Sequence, residues 1–452
     1  MERLSSLNYE YLQQLAEEGK YVPLRAQLME MNEIDVAEFL ETLETPQRVV
    51  VFRLLPKETA ADAFAYLDTE VQTEIVQAVS NKELAALVDG MYMDDTVDFL
   101  EEVPANVVKR VMSVADKETR EVINRFLQYP ENSAGSIMTS ELMEVHDRYT
   151  VAQAMERVRQ SGRDAETIYT LYCISDSRRL VGTVGLRDLI FHTPDETLRD
   201  FMDTERALIS VNTHDDQEKV ADIARHYDLL SVPVTDNEGR LVGIVTIDDI
   251  VDVIEDENTE DFERMALMQP SDDTYLKTGV FSMYKNRILW LAILMISGTF
   301  TGLIIESFES ALAAVAGLTA AIPMLMDTGG NSGNQASTLI IRGLALGEVQ
   351  PKDYFKVAFK ELRVSLLCGV TLAVLNIARM LVIGSQPLPV ILIVSGAMLC
   401  AVIFAKLVGC TLPILARLVH LDPALMAGPM ITTIVDAVTL LIYFFLARSF
   451  LF

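Results

Sequence analysis

Polar and acidic residues interrupt two otherwise apolar stretches near the end of the chain. The stretch 323–337 reads PMLMDTGGNSGNQAS and contains Asp327, and the stretch 428–437 reads GPMITTIVDA and contains Asp436. A carboxylate within a membrane-spanning segment is costly, so it usually faces a partner, an ion or a water-filled path. We therefore predict that Asp436 is the central functional residue of this region.

The residue types around Asp436 suit a hard divalent cation. Mg²⁺ is usually bound through waters and one or two carboxylates in octahedral geometry. Asn331 and Asn334 offer amide oxygens, Gly330 and its neighbouring glycines offer backbone carbonyls, and Thr432 offers a hydroxyl one turn before the acid. Neither stretch contains Cys or His, which argues against a zinc or copper site.

Simpler interpretations of the same residues stay open. The glycines could serve only to let helices pack closely, and Asp436 could hydrogen-bond a neighbouring helix as the neutral acid. Pro323 and Pro429 could merely kink their helices. Asp327 and Asp436 could also be read as a protease pair, but the Gly-x-Gly-Asp context of intramembrane aspartyl proteases is missing around both.

Apolar segments of roughly bilayer-spanning length predict five transmembrane helices. They cover about 288–305, 311–326, 364–383, 390–415 and 423–446. The second segment is short and runs into the polar 323–337 stretch, which can continue the helix if it faces an aqueous path. Basic residues concentrate between segments two and three and between segments four and five, which favours a cytoplasmic location for both loops. We expect a multi-pass plasma (inner) membrane protein with its N-terminus in the cytoplasm and its C-terminus outside.

Charge divides the chain into two parts. The net charge is −28, of which residues 1–284 carry −31 and residues 285–452 carry +3. An acidic surface argues against nucleic acid and anionic lipid as partners and suits cations, although acidity can also serve solubility alone. The first residues contain no apolar signal core, so we expect residues 1–284 to stay in the cytoplasm. The four cysteines form no CxxC pair and are expected to be small buried hydrophobes.

The acidic part contains three kinds of sequence. Residues 1–133 show apolar residues at helical spacing in short repeats, which predicts a small α-solenoid. In residues 134–198 and 199–255, strand and helix patterns alternate and repeat with a period of about 60 residues, since SDSRRLVGTVGLRDLI at 175–190 matches TDNEGRLVGIVTIDDIV at 235–251. This repeat resembles a tandem pair of cystathionine-β-synthase (CBS) domains, which implies α/β modules.

The resemblance to CBS pairs implies an adenine-nucleotide site, since such pairs often use a Thr or Ser and an Asp three residues further on. Thr246 and Asp249 fit this pattern. In the first copy Gly185 replaces the hydroxyl residue and only Asp188 remains. ATP binding at the pair therefore stays open.

Residues 256–284 are expected to form an acidic connecting helix that leads into the membrane. From Asp248 to Glu263 the chain contains nine acids and no base. On one helix these acids repel each other at i,i+4 spacing, for example Asp252, Asp256 and Glu260. Such a cluster is either solvated or neutralised by cations, and its place before the membrane favours metal binding.

Taken together, the two membrane stretches, the CBS pair and the acidic helix resemble the MgtE family of magnesium channels and transporters. The resemblance covers essentially the whole chain. It implies a homodimer with a cytoplasmic helical N-domain, CBS domains, a connecting "plug" helix and a five-helix pore domain (285–452). It also implies pore-ion ligands at Asp436, Gly330, Asn331 and Asn334. The regulatory Mg²⁺ ligands that it implies are Asp94, Asp95, Asp98, Asp216, Glu218, Asp228, Asp249, Asp252, Glu257, Glu260 and Asp261.

The sequence thus predicts a multidomain α-helical membrane protein that is not an enzyme. We expect it to import Mg²⁺, with cytosolic Mg²⁺ holding the pore shut, and the sequence does not rank Mg²⁺ against Co²⁺, Mn²⁺ or Ni²⁺. One rival is a membrane-anchored nucleotide or metal sensor that transports nothing. Another is a CBS-regulated anion channel, which would need basic groups at mid-membrane. Two bases lie inside the predicted segments. Arg379 lies near the end of the third segment, and Lys406 is expected near the cytoplasmic side, where it can snorkel.

Overall fold

The structure is a computed structural model that describes residues 2–205, 209–271, 275–276, 278–309, 315, 317–383, 386–426 and 428–451. The chain divides into two compact units, Met1–Glu255 and Asp256–Phe452. Each unit is built from its own elements.

Short helices fill residues 2–126 of the first unit. Polar residues at helix starts fix several of their boundaries: the Asn32 side chain accepts a hydrogen bond from the backbone N–H of Ile34 (3.0 Å), and Ser80 forms a capping box with Glu83. The helices are α1 Glu2–Glu17, α2 Tyr21–Leu28, α3 Glu33–Glu41, α4 Thr45–Phe52, α5 Lys57–Ala65, α6 Thr69–Ala78, α7 Asn81–Val88, α8 Met93–Glu102, α9 Ala105–Val114 and α10 Lys117–Phe126.

These helices stack as the repeats predict. Helix α3 packs on α5, α5 on α7 and α7 on α9, while α4 packs on α6. The predicted apolar positions Phe39, Phe64 and Leu100 are buried, and the Phe64 and Phe99 rings meet edge to face at 5.2 Å. The prediction of a helical N-terminal region is confirmed.

Two small sheets of equal topology follow and confirm the internal repeat. In each sheet the first strand runs parallel to the second, and the second runs antiparallel to the third. The first module contains β1 Glu144–His146, α11 Val151–Ser161, β2 Thr170–Ile174, β3 Leu180–Gly185 and α12 Leu186–Phe191, followed by the short α13 Leu198–Phe201. The second contains β4 Val211–Asn212, α14 Gln217–Tyr227, β5 Ser231–Thr235 and β6 Leu241–Thr246.

The two modules interlock. Thr139, which precedes the first sheet, forms a β-bridge to Ile244 in the second, and Tyr172 Oη and Ser231 Oγ lie 2.7 Å apart in the buried contact between the modules. The strands predicted at 168–174, 180–184, 230–234 and 241–245 are all present within one or two residues.

The acidic helix α15 covers Ile247–Met265 and begins directly after β6. It therefore starts earlier than predicted, and the prediction of one helix over 256–284 is wrong. Leu267 adopts a left-handed conformation (φ 55°), which ends the helix, and the next helix begins only at Val280. The backbone N–H of Gln269 donates to the carbonyl of Asn286 (3.0 Å), so the turn after α15 is attached to that next helix. Residues 272–274 and 277 of the predicted plug helix lie outside the described residues.

Long helices fill the described part of the second unit. Helix α17 packs against both α19 and α20, α18 packs against α19, and α16 packs against α20. The helices are α16 Val280–Ser307, α17 Leu318–Ala345, α18 Tyr354–Ile383, α19 Leu388–Leu418 and α20 Gly428–Leu451, with short 3₁₀ turns at Pro351–Asp353 and Pro423–Met426.

Four stretches among the described residues of this unit are long and apolar enough to cross a membrane. They are Val280–Ser307, Pro351–Val382, Leu388–Leu418 and Pro423–Leu451. Helix α17 has 28 residues, which is long enough, but it contains the polar 327–335 stretch and falls outside this set. The expectation that the polar stretch continues the second helix is confirmed. Residues 311–314 and 316 of the predicted second span lie outside the described residues.

The cysteines behave partly as predicted. Cys173 and Cys410 are buried, whereas Cys368 is half-buried and Cys400 is exposed. The prediction that all four are buried is therefore wrong for Cys400, which lies on a face of α19 that the described part of the second unit leaves uncovered.

Candidate cation sites

Glycines let α17 pack closely against α20 and α19. A Cβ added at Gly333 would lie 2.7 Å from Ile431 Cγ2, and one at Gly330 would lie 3.1 Å from Thr432 Cγ2. A Cβ at Gly409 would overlap the carbonyl oxygen of Gly333. These glycines therefore allow close packing, which places the backbone of α17 beside the helix that carries Asp436.

Acceptor atoms without partners gather at the contact between α17 and α20. Asp436 Oδ1, Asn334 Oδ1 and Thr439 Oγ1 are buried and accept no hydrogen bond from any described residue. The Asn334 amide N–H donates to Thr432 Oγ1 at 3.4 Å. The amide oxygen, on the other side of the same amide group, has no described donor. A buried acceptor without a donor is costly, so these oxygens call for water or a cation.

The two threonines of the second stretch use their protons locally. Thr432 Oγ1 donates to the carbonyl of Gly428 (3.0 Å), and Thr433 Oγ1 donates to the carbonyl of Pro429 (2.9 Å). Their lone pairs remain available, but neither hydroxyl donates to Asp436 in this arrangement. The Asp436 carboxylate therefore accepts no hydrogen bond from either of these two hydroxyls.

A polar face runs along α17 next to this group. Asp327, Asn331, Gln335 and Thr338 follow each other at three- to four-residue spacing and are exposed in the single chain. Asn331 Nδ2 donates to Asp327 Oδ1 (3.1 Å), so the amide orients the acid. Cavities of about 1160 and 560 Å³ lie along this face. Such a polar helix face in a membrane unit is expected to line water or a second polar surface.

Lys406 differs from its prediction. It lies on α19, it is only 4 % exposed, and it lines both cavities beside the polar face of α17. The expectation that Lys406 snorkels toward the membrane surface is wrong, because neighbouring helices cover its side chain.

A second acidic group lies in the first unit. Carboxylate oxygens of Asp94, Glu166 and Asp249 all lie within 4.8 Å of one another, which is the spacing of ligands around one metal ion. Thr246 Oγ1 lies 2.7 Å from Asp249 Oδ2 and 3.0 Å from Glu166 Oε1. Since one hydroxyl has one proton, Thr246 can donate to only one of these two carboxylates at a time, and Glu166 Oε2 is buried without a described partner.

Burial and mutual repulsion raise the pKa of these acids. Burial, followed by the charges of Glu166 and Asp249, raises the pKa of Asp94 well above its usual range. The pKa of Glu166 rises to about 7, through burial and then through the charge of Asp249. Burial likewise raises the pKa of Asp249 to about 6. The oxygen donors and the clustered charge fit a bound divalent cation, which would relieve the repulsion.

Asp95 and Asp98 lie beside Asp94 on helix α8, and burial raises the pKa of Asp95 to about 7. Two other predicted regulatory ligands, Asp216 and Asp228, lie at the two ends of helix α14. Asp216 caps the start of α14 by accepting from the backbone N–H of Glu218 (2.9 Å), and Asp228 ends the same helix with φ 51°. Within the described ranges, no other set of three acids closes to metal-ligand spacing.

The predicted nucleotide-binding residues have structural roles. Asp188 Oδ2 accepts from the backbone N–H of Gly185 (3.3 Å) and so caps α12. Thr246 and Asp249 occupy the equivalent positions at the start of α15. The Thr-x-x-Asp pattern is therefore also a helix-capping pattern, and ATP binding stays a prediction.

The end of the acidic helix is attached to the start of the Asp436 helix within the second unit. Arg264 pairs with Glu260 on its own helix, and Arg264 Nη1 lies 2.6 Å from Asp422 Oδ2. Asp422 Oδ1 in turn accepts from the backbone N–H of Ala424 (2.7 Å), and Met265 packs against Ala424 and Ile341. These contacts attach the end of the acidic helix to the segment just before α20.

Comparison with known proteins gives a consistent result over the whole chain. A family model described as a divalent cation transporter matches residues 322–446, the MgtE intracellular N domain matches 31–132, and a CBS domain matches 198–256. A magnesium transporter MgtE of Thermus thermophilus is 38 % identical over 97 % of this chain and 98 % of its own length. The corresponding protein of Bacillus subtilis is 32 % identical over 97 % and 96 %.

The chain belongs to the MgtE family.

Two solved structures of soluble regions of magnesium transport proteins resemble the first part of the chain. The soluble part of a magnesium transporter has a TM-score of 0.53 at 31 % identity, over 56 % of this chain and 99 % of its own. The cytosolic domain of the Mg²⁺ channel MgtE in complex with ATP has a TM-score of 0.51 at 35 % identity, over 54 % and 99 %. Both support the helical N-domain and the CBS pair as the fold of the first unit.

Sequence reasoning missed several residues that the structure brings to these sites. Glu166 completes the acidic group, but it stands in a loop outside any acidic run, so no sequence signal marked it. Thr439 follows Asp436 by three residues, and helical spacing alone places it on the same face. Asp422 is an isolated acid in the loop before α20, and only its contact with Arg264 identifies it.

Proposed function

We propose that this protein transports Mg²⁺ across the membrane and that Asp436 is the ligand on which conduction depends. The observation that carries the proposal is the pair of buried, unpartnered oxygens at the contact between α17 and α20, Asp436 Oδ1 and Asn334 Oδ1. A cation with its waters satisfies both oxygens, and its passage requires that they have no permanent donor. Membership of a family whose relatives carry the name magnesium transporter supports the choice of ion.

We propose that the pore forms between two copies of the chain. The polar face of α17 is exposed in the single chain although it lies in the membrane unit, which a symmetric partner would explain. Two Asp436 carboxylates related by a twofold axis balance one divalent ion, whereas a monovalent ion leaves repulsion between them. We propose that Gly330 and Asn331 also lie next to the ion in the pore.

We propose that cytosolic Mg²⁺ closes this pore. Asp94, Glu166 and Asp249 form the best-defined cation site of the first unit, and Asp249 lies at the start of the acidic helix. A cation there joins the helical N-domain, the first CBS module and that helix, and without it the carboxylates repel. Mg²⁺ thus binds the compact arrangement better than the separated one, which is the requirement for regulation by a ligand.

We also propose import as the direction, with the N-terminus cytoplasmic, five spans and the C-terminus outside. The support is the concentration of basic residues in two loops and the acidic first unit. For ATP, the support is the related cytosolic domain in complex with ATP. Binding of ATP to this chain is tested by calorimetry with wild type and Asp188→Ala.

Flux measurement tests the central proposal. The purified full-length protein is placed in liposomes that contain a Mg²⁺-sensitive dye, and wild type is compared with Asp436→Asn, which keeps the size of the side chain. We expect flux in wild type and at least a tenfold loss in Asp436→Asn. Folded protein that conducts no Mg²⁺ under any condition would favour a membrane-anchored sensor instead.

A second experiment tests the closing mechanism. The double variant Asp252→Ala, Glu260→Ala removes two acids from the acidic helix, and we expect it to conduct even when Mg²⁺ is high on the cytoplasmic face. Glu156→Ala, at an exposed position on α11, is the matched control because it removes an acid from outside that helix. Normal closure of the double variant would exclude the acidic helix from gating.

A further inference from the structure

A buried base lies beside the proposed cation path and has no role in the mechanism so far. Lys406 on α19 is 4 % exposed and forms no ion pair or hydrogen bond with any residue that the structure describes. It lines both cavities along α17, one of which includes Asp327 and the other Asn334. The largely covered side chain lines these cavities without an ion pair to any described residue, so the charge at this position needs an explanation.

The cavities contain charges of both signs. Asp327, Glu348 and Glu361 contribute acids, and Lys360 is a second base whose side chain is exposed. The mixture does not resemble an anion site, which collects bases. The buried position of Lys406 opposite the polar face of α17 instead suits a fixed positive charge that acts on cations passing along that face.

We propose that Lys406 sets the affinity of the transport path for its ion. Its fixed positive charge weakens the binding of cations to the polar face of α17. The inference rests on the proposed function and concerns the same path. A conducting site must attract ions strongly enough to enter and weakly enough to leave. Asp327 and Asp436 supply attraction, and Lys406 limits it, so that Mg²⁺ is released rather than trapped.

Coulomb's law gives the expected size of the effect of Lys406 on Mg²⁺ affinity. At an effective dielectric constant near 20, a unit charge several ångströms away changes the affinity of a divalent ion by about tenfold or more. Removal of the Lys406 charge is therefore expected to strengthen Mg²⁺ binding and to slow release. A purely structural role would instead lower the amount of folded protein and leave the half-saturating concentration unchanged.

The test compares Mg²⁺ flux at increasing external Mg²⁺ in proteoliposomes of the full-length protein. Lys406→Met removes the charge and keeps the chain length, Lys406→Arg keeps the charge, and Lys352→Met removes a base from an exposed position outside both cavities. We expect Lys406→Met to lower the half-saturating Mg²⁺ concentration by about tenfold and to lower the maximal flux, while the other two variants behave as wild type.

An unchanged or higher half-saturating concentration in folded Lys406→Met would overturn the inference. If Lys406→Met does not fold, Lys406→Gln is measured with the same two outcomes. Absence of flux in wild type would refute the proposed transport itself. Flux in wild type with no shift in the Lys406 variants would refute only the role of Lys406, so the two failures are distinguishable.

Discussion

Each of the two candidate sites contains a buried carboxylate oxygen that has no hydrogen-bond partner among the described residues. In the membrane unit, Asp436 Oδ1 is buried without a donor, and in the first unit Glu166 Oε2 is in the same situation. Folding usually removes such atoms by pairing them, because each unsatisfied group costs about 1–3 kcal/mol. Under the proposed function, a cation would satisfy both oxygens, one in the transport path and one at the regulatory site.

The raised pKa values predict how stability changes with pH when divalent cations are removed. Asp95 and Glu166 have pKa values of about 7 and Asp249 of about 6, so the folded chain binds these protons more tightly than the unfolded chain. The resulting stabilisation is complete below the unfolded value of about 4 and is lost as pH rises through 6 to 7.

We therefore expect the melting temperature in EDTA to fall between pH 5 and pH 8. In saturating Mg²⁺ the fall should disappear or reverse, because the ion replaces the protons. Differential scanning fluorimetry of the full-length protein in detergent measures both curves. Parallel curves with and without Mg²⁺ would show that the acidic group does not bind the ion.

Replacement of Asp94 by Asn should separate stability from metal binding. Asp94 is 5 % exposed, so the amide removes a buried charge that the metal-free protein must otherwise neutralise. We expect the metal-free variant to be more stable by about 1 kcal/mol and to gain less stability from Mg²⁺ than wild type. Asp89→Asn, at an exposed position on the preceding helix end, is the matched control. Equal Mg²⁺ stabilisation in Asp94→Asn and wild type would count against Asp94 as a ligand.

At the scale of helices, close packing places α17 beside α20 and α19. Gly333 and Gly409 remove side chains where the backbones of α17 and α19 cross, and Gly329 and Gly330 do the same against α20. The polar face of α17 is therefore held at a fixed position next to Asp436, while packing occupies the other face of the same helix.

Two glycines of α19 allow a direct test of this packing. A Cβ at Gly409 would overlap the backbone of α17, whereas a Cβ at Gly396 meets nothing within 4 Å. Gly409→Ala should lower stability by roughly 1–3 kcal/mol, and Gly396→Ala should leave stability unchanged or raise it slightly, since Ala favours helix. Thermal melting in detergent measures both, and equal melting temperatures would contradict this close crossing of α17 and α19.

The ion pair between Arg264 and Asp422 attaches the acidic helix to the start of α20. Arg264→Ala should release the end of α15, so amide hydrogen exchange over 256–265 should become faster. Arg287→Ala, at an exposed position on α16, removes the same charge without this contact. If both variants exchange at the wild-type rate, the pair does not fix the helix end.

The sequence predicted elements whose signal is local. Helical spacing predicted the N-terminal repeats, and the repeat at 175–190 and 235–251 predicted two equal sheets, because each pattern depends only on neighbours along the chain. Prediction from sequence failed where residues distant along the chain, or the conformation of a single backbone residue, determine the structure. The acidic helix ends near Leu267, which is left-handed, Lys406 is covered by other helices, and Glu166 joins Asp94 and Asp249 only after folding.

The residues of the candidate sites also differ in how far the sequence alone could identify them. Asp436 and Asn334 were predicted as ion ligands because a polar group in an apolar segment is anomalous wherever the helix lies, and this role stays a prediction. Gly330 was predicted as a carbonyl ligand, and its packing against Thr432 supplies a structural role for the same residue. Its role as a ligand therefore stays a prediction, as do those of Asp216, Glu218 and Asp228, which the fold leaves around α14.

At the scale of the molecule, we propose that an acidic unit that binds cations controls a membrane unit that conducts them. Charge distinguishes the two parts, −31 against +3 at the boundary of residue 285. The acidic helix belongs to both, since the division between the units falls at Glu255, inside α15. A cation bound at the start of this helix can therefore influence the membrane unit through one continuous element.

The most direct test of this account is Mg²⁺ flux at varied Mg²⁺ inside proteoliposomes. Molecules whose soluble unit faces the lumen are selected by digesting the outward-facing soluble units with protease. We predict that flux into vesicles of wild type falls steeply as luminal Mg²⁺ rises, and that Asp94→Asn combined with Asp249→Asn shifts this fall to higher Mg²⁺. Flux that is independent of luminal Mg²⁺ in wild type, or an unshifted fall in the double variant, would contradict regulation through this acidic group.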